Sequence, residues 1–102
     1  MARTVTQIAN DVVGVLEQRE ANYDNPVRNF QRIADYWTTR LQGILKDGEA
    51  ITPLMVADLM ILMKIAREQY TPHPANDSYV DMIGYSLIAA RLRELKDEQQ
   101  KK

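Results

Sequence analysis

The chain has 102 residues, of which 45% are hydrophobic and 26% are charged, a balance that excludes a disordered or collagen-like chain. Thirteen basic and fourteen acidic residues give a net charge of −1, so the overall field does not attract nucleic acid or anionic lipid. The chain has no cysteine, which excludes disulfides and thiolate metal sites. We therefore expect one domain covering residues 1–102, without sequence-specific nucleic-acid binding.

A first helix is predicted from about Thr4 to Asn22, because apolar residues recur at helical spacing over that range. Asn25-Pro26 is a capping residue followed by proline at the first helical position, where its missing N–H costs nothing. The second helix starts there and is expected to end near 47-DGE-49. Its long apolar stripe consists of Phe30, Ile33, Ala34, Trp37, Leu41 and Ile44.

The third helix is predicted at about residues 53–70, with Thr52-Pro53 repeating the same start signal. Its segment 54-LMVADLMILMKIA-66 is apolar nearly all round. This pattern is typical of a helix enclosed by neighbours, so we expect it to be the central helix.

A fourth helix is predicted from about Asp77 to Glu94, after the proline-containing connection 71-TPHPAND-77. Residues 93–102 form a charged tail that we expect to fray into solvent. No strand-like alternation is present, so the predicted fold is all-α, a four-helix antiparallel bundle. Helices this apolar favour a homodimer or higher oligomer through their apolar faces.

The chain contains no apolar run of the roughly 18 residues that a membrane span needs. Its first residues also lack the long apolar core of an export signal. We therefore expect a cytoplasmic protein without a membrane partner.

Three polar residues of the third helix are candidates for a site. Asp58 has apolar neighbours three and four positions away on its helix, so it is expected to need a partner or a metal. Lys64 and Arg67 are three residues apart and share a face. This face lies toward the end of the helix that the short 71–76 connection joins to the fourth.

On the fourth helix, Asp77, Asp81, Gly84 and Tyr85 lie on one ridge with i, i+3 or i+4 spacing. The structural interpretation is that Asp77 caps the helix and Asp81 forms an ion pair with Lys64 or Arg67. The functional interpretation is that the carboxylates bind Mg²⁺ while the basic residues bind phosphate oxygens. Glycine in a helix interior costs about 1 kcal/mol relative to alanine, so Gly84 suggests a close approach to the backbone.

A second polar concentration is 19-REANYDNPVRNF-30, between the first two helices. Arg19, Tyr23 and Arg28 could reach a nucleotide there, with Tyr23 as a stacking surface. Alternatively, both arginines are solvated and Tyr23 packs against the turn.

Three motifs in order carry a resemblance. They are R-x3-Y-[GD]-x-P-x2-NF (from Arg19 to Phe30), D-x5-K-x2-R (from Asp58 to Arg67) and DS-x2-D-x2-GY (from Asp77 to Tyr85). Over about residues 8–92 the chain resembles a family of small phage and prophage proteins of unassigned function. More loosely, it is similar to nucleotide-modification-associated phage domains. A phage origin implies the cytoplasm of a host bacterium.

The last motif also resembles part of the signature of MazG-type all-α nucleoside triphosphate pyrophosphatases. That family implies Mg²⁺-dependent hydrolysis of a (d)NTP to a monophosphate and pyrophosphate by oligomeric helical bundles. The chain lacks the family's E-E-x2-E motif, and Asp77 and Asp81 are four residues apart instead of three.

Three functions remain open. The first is a MazG-like protein that binds a nucleotide, with or without hydrolysing it. In that case Asp58, Asp77 and Asp81 bind Mg²⁺, Asp58 and Asp81 act in catalysis, and Lys64, Arg67, Arg19, Tyr23 and Tyr85 bind the nucleotide.

The second function is a non-catalytic module that sequesters a nucleotide, for example in an anti-defence role. The third is a structural interaction bundle with no small ligand.

Overall fold

A computed structural model describes residues 2–22, 24–70 and 78–100, and within these residues it contains four α-helices and no strand. The helices are α1 (Val5–Asn22), α2 (Pro26–Leu41), α3 (Pro53–Tyr70) and α4 (Ser78–Gln100). The all-α prediction and the number of helices are confirmed.

The starts of α2 and α3 follow the two proline signals. Pro26 occupies the first turn of α2, and the side-chain oxygen of Asn25 accepts the N–H of Val27 at 2.8 Å. At the start of α3, the Thr52 hydroxyl accepts the N–H of Met55 at 3.2 Å. Both caps satisfy backbone donors that have no partner inside the helix, so the predicted starts are confirmed.

The predicted end of α2 near residue 47 is wrong, because the helix ends at Leu41. The Thr38 hydroxyl donates to the carbonyl of Ala34 at 2.8 Å and accepts the N–H of Ile51 at 2.8 Å. Through this contact the segment before α3 lies against α2, and Ile51 packs against the core. Ile44, which we assigned to the buried stripe, is 80% exposed in the turn.

The core lies where α2, α3 and α4 meet. Its buried residues are Phe30, Ala34, Val56, Ala57 and Leu92. α3 packs against both α2 and α4, while α1 packs against α4. The three alanine and valine positions are fully buried, which allows the three helices to approach closely around them.

α3 is not enclosed on all sides as predicted, since one side of it carries exposed apolar residues. We call this side the outer face of α3. It consists of Met55, Leu59, Leu62, Met63, Ala66 and Tyr70. The sequence composition of α3 predicted burial all round, but the neighbouring helices cover only its other sides.

α4 continues to Gln100, six residues beyond the predicted end at Glu94. Its predicted first residue, Asp77, lies outside the described residues, as does the 71–76 connection. Within the described part of the chain, no helix combines the length and the hydropathy that a membrane crossing requires.

Candidate functional site

A cavity of about 330 Å³ lies between the C-terminal half of α1, the start of α2, and the middle of α3 and α4. We call it the main cavity because all four helices line it, although a larger one of about 530 Å³ lies between the starts of α2 and α3 and the end of α4. The lining residues of the main cavity are Leu16, Arg19, Glu20, Asp24, Pro26, Asn29, Phe30, Ile33, Met60, Tyr85 and Ile88. All four helices contribute to it, and it falls in the size range of small-molecule sites.

The apolar part of the main cavity contains an aromatic pair. The rings of Phe30 and Tyr85 have centroids 6.2 Å apart and an interplanar angle of 44°. Phe30 is 5% exposed and belongs to the core, whereas Tyr85 is half-buried and packs against it. The core thus holds Tyr85 against the cavity, and a tilted pair at this distance is a favourable aromatic arrangement.

The polar part of the main cavity contains hydrogen-bonding groups that the protein itself does not use. Within the described residues, the side chains of Arg19, Asn29 and Tyr85 form no hydrogen bond to another protein group. A guanidinium, an amide and a phenol together offer several donors and acceptors. The cavity therefore has an apolar wall and a set of polar groups available to a ligand.

The Asp24 carboxylate, by contrast, is already hydrogen-bonded to protein groups at the start of α2. One carboxylate oxygen accepts the N–H of Asn25 at 2.8 Å and Arg28 at 2.9 Å, and the other accepts Arg32 at 3.1 Å. These hydrogen bonds hold the pKa of Asp24 below its ordinary value of 3.8, and the one from the Asn25 backbone N–H has the largest effect. Asp24 also binds Arg28, which does not line this cavity.

A narrower cleft of about 20 Å³ adjoins the main cavity, and Arg19 and Tyr85 line both. It has room for about one water molecule. The cleft is otherwise formed by apolar residues of α1 and α4, together with Asp81 and Gly84. Asp81 and Arg19 therefore lie in the same region.

Asp81 is paired with Lys64, in agreement with the structural interpretation of these residues. The Lys64 Nζ lies 2.7 Å from the Asp81 Oδ2, and the two side chains are only 12% and 17% exposed. This ion pair links α3 to α4. The pairing does not by itself assign a catalytic role to Asp81.

Replacing Asp81 with asparagine is expected to lower the free energy of unfolding by about 1–2 kcal/mol, because Lys64 is left partly buried without a counter-charge. The cost is smaller than the roughly 3–5 kcal/mol of a fully buried pair because some solvent reaches both groups. Chemical denaturation of Asp81→Asn, Lys64→Met and the double variant measures the coupling. If the loss of unfolding free energy in the double variant equals the sum of the losses in the two single variants, the two side chains are not coupled and this role for the pair is wrong.

The other predicted site residues of α3 lie elsewhere. Asp58 and Arg67 are exposed, and neither lines the main cavity or the cleft. The expectation that Asp58 is desolvated is wrong, because the neighbours at i±3 and i±4 on its own helix do not cover it. Tyr23 and Asp77 lie outside the described residues.

The Mg²⁺ site stays a prediction. Among the residues that the structure describes, no group of three or more acidic, histidine or cysteine side chains is arranged to hold a metal ion. One of the three predicted ligands, Asp77, is outside those residues, so the proposed set is described only in part.

Gly84 has a packing neighbour on α1. A Cβ atom added there would lie 3.8 Å from Cδ2 of Leu16, which is ordinary van der Waals contact. The expectation of an unusually close approach to the backbone is wrong for the described residues. α1 packs over Gly84 without requiring the absence of a side chain.

We expect Gly84→Ala to raise the free energy of unfolding by about 0.5–1 kcal/mol, since alanine is the better helix former. Thermal denaturation beside the unchanged protein measures the effect. A clear loss of stability would show that α1 cannot accommodate the added methyl group.

Sequence reasoning assigned no ligand role to Asn29, Phe30 or Met60, although each lines the main cavity. For the first two a signal was present, because Pro26-x2-Asn29-Phe30 is part of the first motif. Met60 carried no signal beyond its apolar character. Arg19 and Tyr85 are the predicted binding residues that the structure brings to this cavity.

These features define a small all-helical domain with a ligand-sized cavity where its four helices meet. The chain belongs to the family described as a domain of unknown function, DUF6378, whose model matches residues 4–93. The resemblance to a family of unassigned function is thereby supported.

Two mycobacteriophage proteins are similar to the chain. The "Gene 55 protein" of Mycobacterium phage D29 is 39% identical over 77 residues, which are 76% of this chain and 46% of that protein. The "Gene 55 protein" of Mycobacterium phage L5 is 35% identical over 82 residues, 80% of this chain and 49% of that protein. The chain thus spans about half the length of these relatives. No solved structure gives a significant match.

Proposed function

We propose that the chain binds a nucleotide in the main cavity. The observation that carries this proposal is the arrangement of two motifs that are far apart in the sequence. Arg19, Asn29 and Phe30 of the first motif and Tyr85 of the last line one cavity. Three of these four side chains have polar groups without a hydrogen-bond partner among the described residues.

Each part of a nucleotide has a matching group in this cavity. The Arg19 guanidinium suits a phosphate, because its planar donors form charge-assisted, bidentate hydrogen bonds to phosphate oxygens. The Tyr85 ring offers an apolar surface to a base. The Asn29 amide has both a donor and an acceptor for the edge of that base.

The size of the cavity agrees with a mononucleotide. Its volume of about 330 Å³ lies at the lower end of the roughly 300–1,000 Å³ that small-molecule sites occupy. The base would lie toward Phe30 and Tyr85, and the phosphates toward Arg19.

Hydrolysis of a (d)NTP, as in MazG-type enzymes, is the second candidate. Asp81 lines the cleft next to Arg19, which favours it by placing a carboxylate beside the proposed phosphate position. In addition, Glu68 Oε2 is buried and accepts no hydrogen bond within the described part of the chain. Glu68 lies one turn after Lys64, the partner of Asp81. Mg²⁺ would supply charge neutralisation and an activated water, and Asp81 would have to exchange Lys64 for the ion.

Binding and turnover are separated by one set of measurements. The protein is titrated calorimetrically with a panel of ribo- and deoxynucleoside mono-, di- and triphosphates, with and without Mg²⁺, and pyrophosphate release is followed in the same mixtures. We expect saturable binding of at least one nucleotide to the unchanged protein. Asn29→Ala should weaken it, whereas Asn10→Ala, at an exposed position of α1 that lines neither the main cavity nor the cleft, should not.

Binding without pyrophosphate release supports the sequestering module. Turnover that requires Mg²⁺ and is lost in Asp81→Asn, with binding retained, supports the hydrolase. If no nucleotide of the panel binds under either condition, the nucleotide proposal is wrong and an interaction bundle remains.

Two broader predictions accompany this proposal. The antiparallel arrangement is supported by the Lys64–Asp81 pair, which joins the last part of α3 to the first part of α4. A location in the cytoplasm of an infected bacterium is supported by the mycobacteriophage origin of the relatives.

A further inference from the structure

We propose that the outer face of α3 is the surface through which two copies of the chain form a twofold-symmetric dimer. In this dimer the two α3 helices pack against each other in opposite directions. Their midpoint lies between Leu62 and Met63. The proposal concerns a surface away from the main cavity and does not depend on nucleotide binding.

The outer face of α3 is at the upper end of what a monomer ordinarily leaves exposed. Leu62 is 59% exposed, Met55 46%, and Tyr70 90%. With the other three residues they present on the order of 600 Å² of surface, the upper end of the about 300–600 Å² that the largest apolar patch of a typical monomer covers. The area approaches the about 800 Å² per partner that a standard stable interface buries.

The spacing of the residues favours a second copy over a different partner. The stripe occupies positions 55, 59, 62, 63, 66 and 70. Its successive gaps are four, three, one, three and four residues, which read the same in both directions. Turning the helix end for end about the midpoint therefore places every position of the stripe opposite another position of the stripe, as a self-complementary interface requires.

The side chains also fit this antiparallel pairing of the two α3 helices. Leu59 would face Ala66 of the other copy, so that a large residue meets a small one, and Leu62 would face Met63. No member of the stripe is charged, so the symmetry brings no like charges together. Packing of this kind places large side chains of one helix into spaces on the other.

The absence of cysteine from the chain allows a direct test by single cysteines. Under mild oxidation we expect Leu62→Cys to give a covalent dimer rapidly, since this position lies next to its own copy at the twofold axis. Thr39→Cys, exposed on α2, is the control and should remain largely uncrosslinked. A mixture of Leu59→Cys and Ala66→Cys should give mainly the mixed disulfide.

The strength of the association is measured by analytical ultracentrifugation over a dilution series. We expect the unchanged protein to be dimeric and Leu62→Glu to raise its dissociation constant at least about tenfold, because two carboxylates would meet in an apolar contact. Val13→Glu places the same charge on α1, at a residue that is 50% exposed, and should leave the constant unchanged. Far-ultraviolet circular dichroism tests whether both variants remain helical.

Several results would overturn the proposal. They are a monomeric unchanged protein at every concentration, equal effects of the two glutamate variants, or no faster crosslinking at position 62 than at position 39. Self-pairing of Leu59→Cys in preference to the mixed disulfide would exclude the opposite direction of the two helices. If Leu62→Glu loses its helical structure, the cysteine variants decide the question alone.

Discussion

Replacing Phe30 with alanine is expected to lower the free energy of unfolding by about 3–4 kcal/mol. Phe30 is 5% exposed, belongs to the core shared by α2, α3 and α4, and contacts the ring of Tyr85. Its truncation removes buried apolar surface and leaves a void beside Ala34 and Val56. For a domain of this size the midpoint of thermal unfolding should fall by more than about 10 °C.

Tyr36→Ala is the matched control, because it removes an aromatic ring from the same helix at a position that is 71% exposed. It should change stability by less than about 0.5 kcal/mol. Urea unfolding followed by circular dichroism, at one protein concentration, compares the variants. Similar losses for the two would mean that Phe30 does not lie in the core.

The second large effect concerns ligand affinity. Arg19→Ala is expected to weaken nucleotide binding by about 10–100-fold, the loss that follows from removing hydrogen bonds between charged groups. Stability should change little, since Arg19 is exposed on the last turns of α1 and forms no ion pair within the described residues. Isothermal titration with the nucleotide that binds best measures the loss.

Arg40→Ala controls for the simple removal of a positive charge, because Arg40 is exposed in the last turn of α2 and lines neither the main cavity nor the cleft. Arg19→Lys should recover part of the affinity, since lysine keeps the charge but not the bidentate geometry. If Arg19→Ala and the unchanged protein bind the nucleotide with equal affinity, Arg19 does not bind its phosphate.

The helix starts could be predicted from the sequence because their signals are local. Asn25-Pro26 and Thr52-Pro53 specify both the backbone angle and the hydrogen bond of the cap within a few residues. The end of α2 has no such signal. It depends on the contact between Thr38 and Ile51, thirteen residues apart, which forms only when the chain folds back.

The candidate site was predictable only in part for the same reason. Helical spacing correctly placed Lys64 and Asp81 on faces that could meet, and the 2.7 Å ion pair follows. The same spacing gave Asp58 apolar neighbours on its own helix, but burial depends on which side the other helices cover. The convergence of Arg19 with Tyr85 is a property of how α1 rests on α4, which no short stretch of sequence encodes.

The packing of α1 makes ligand binding observable by hydrogen exchange. Within the described residues α1 packs against α4, and the main cavity separates its second half from the start of α2. A molecule in that cavity would bridge the two and restrict the opening of α1. Amide hydrogens of α1 should therefore exchange with deuterium more slowly when the cavity is filled, while those around Val56 and Ala57 keep their rate.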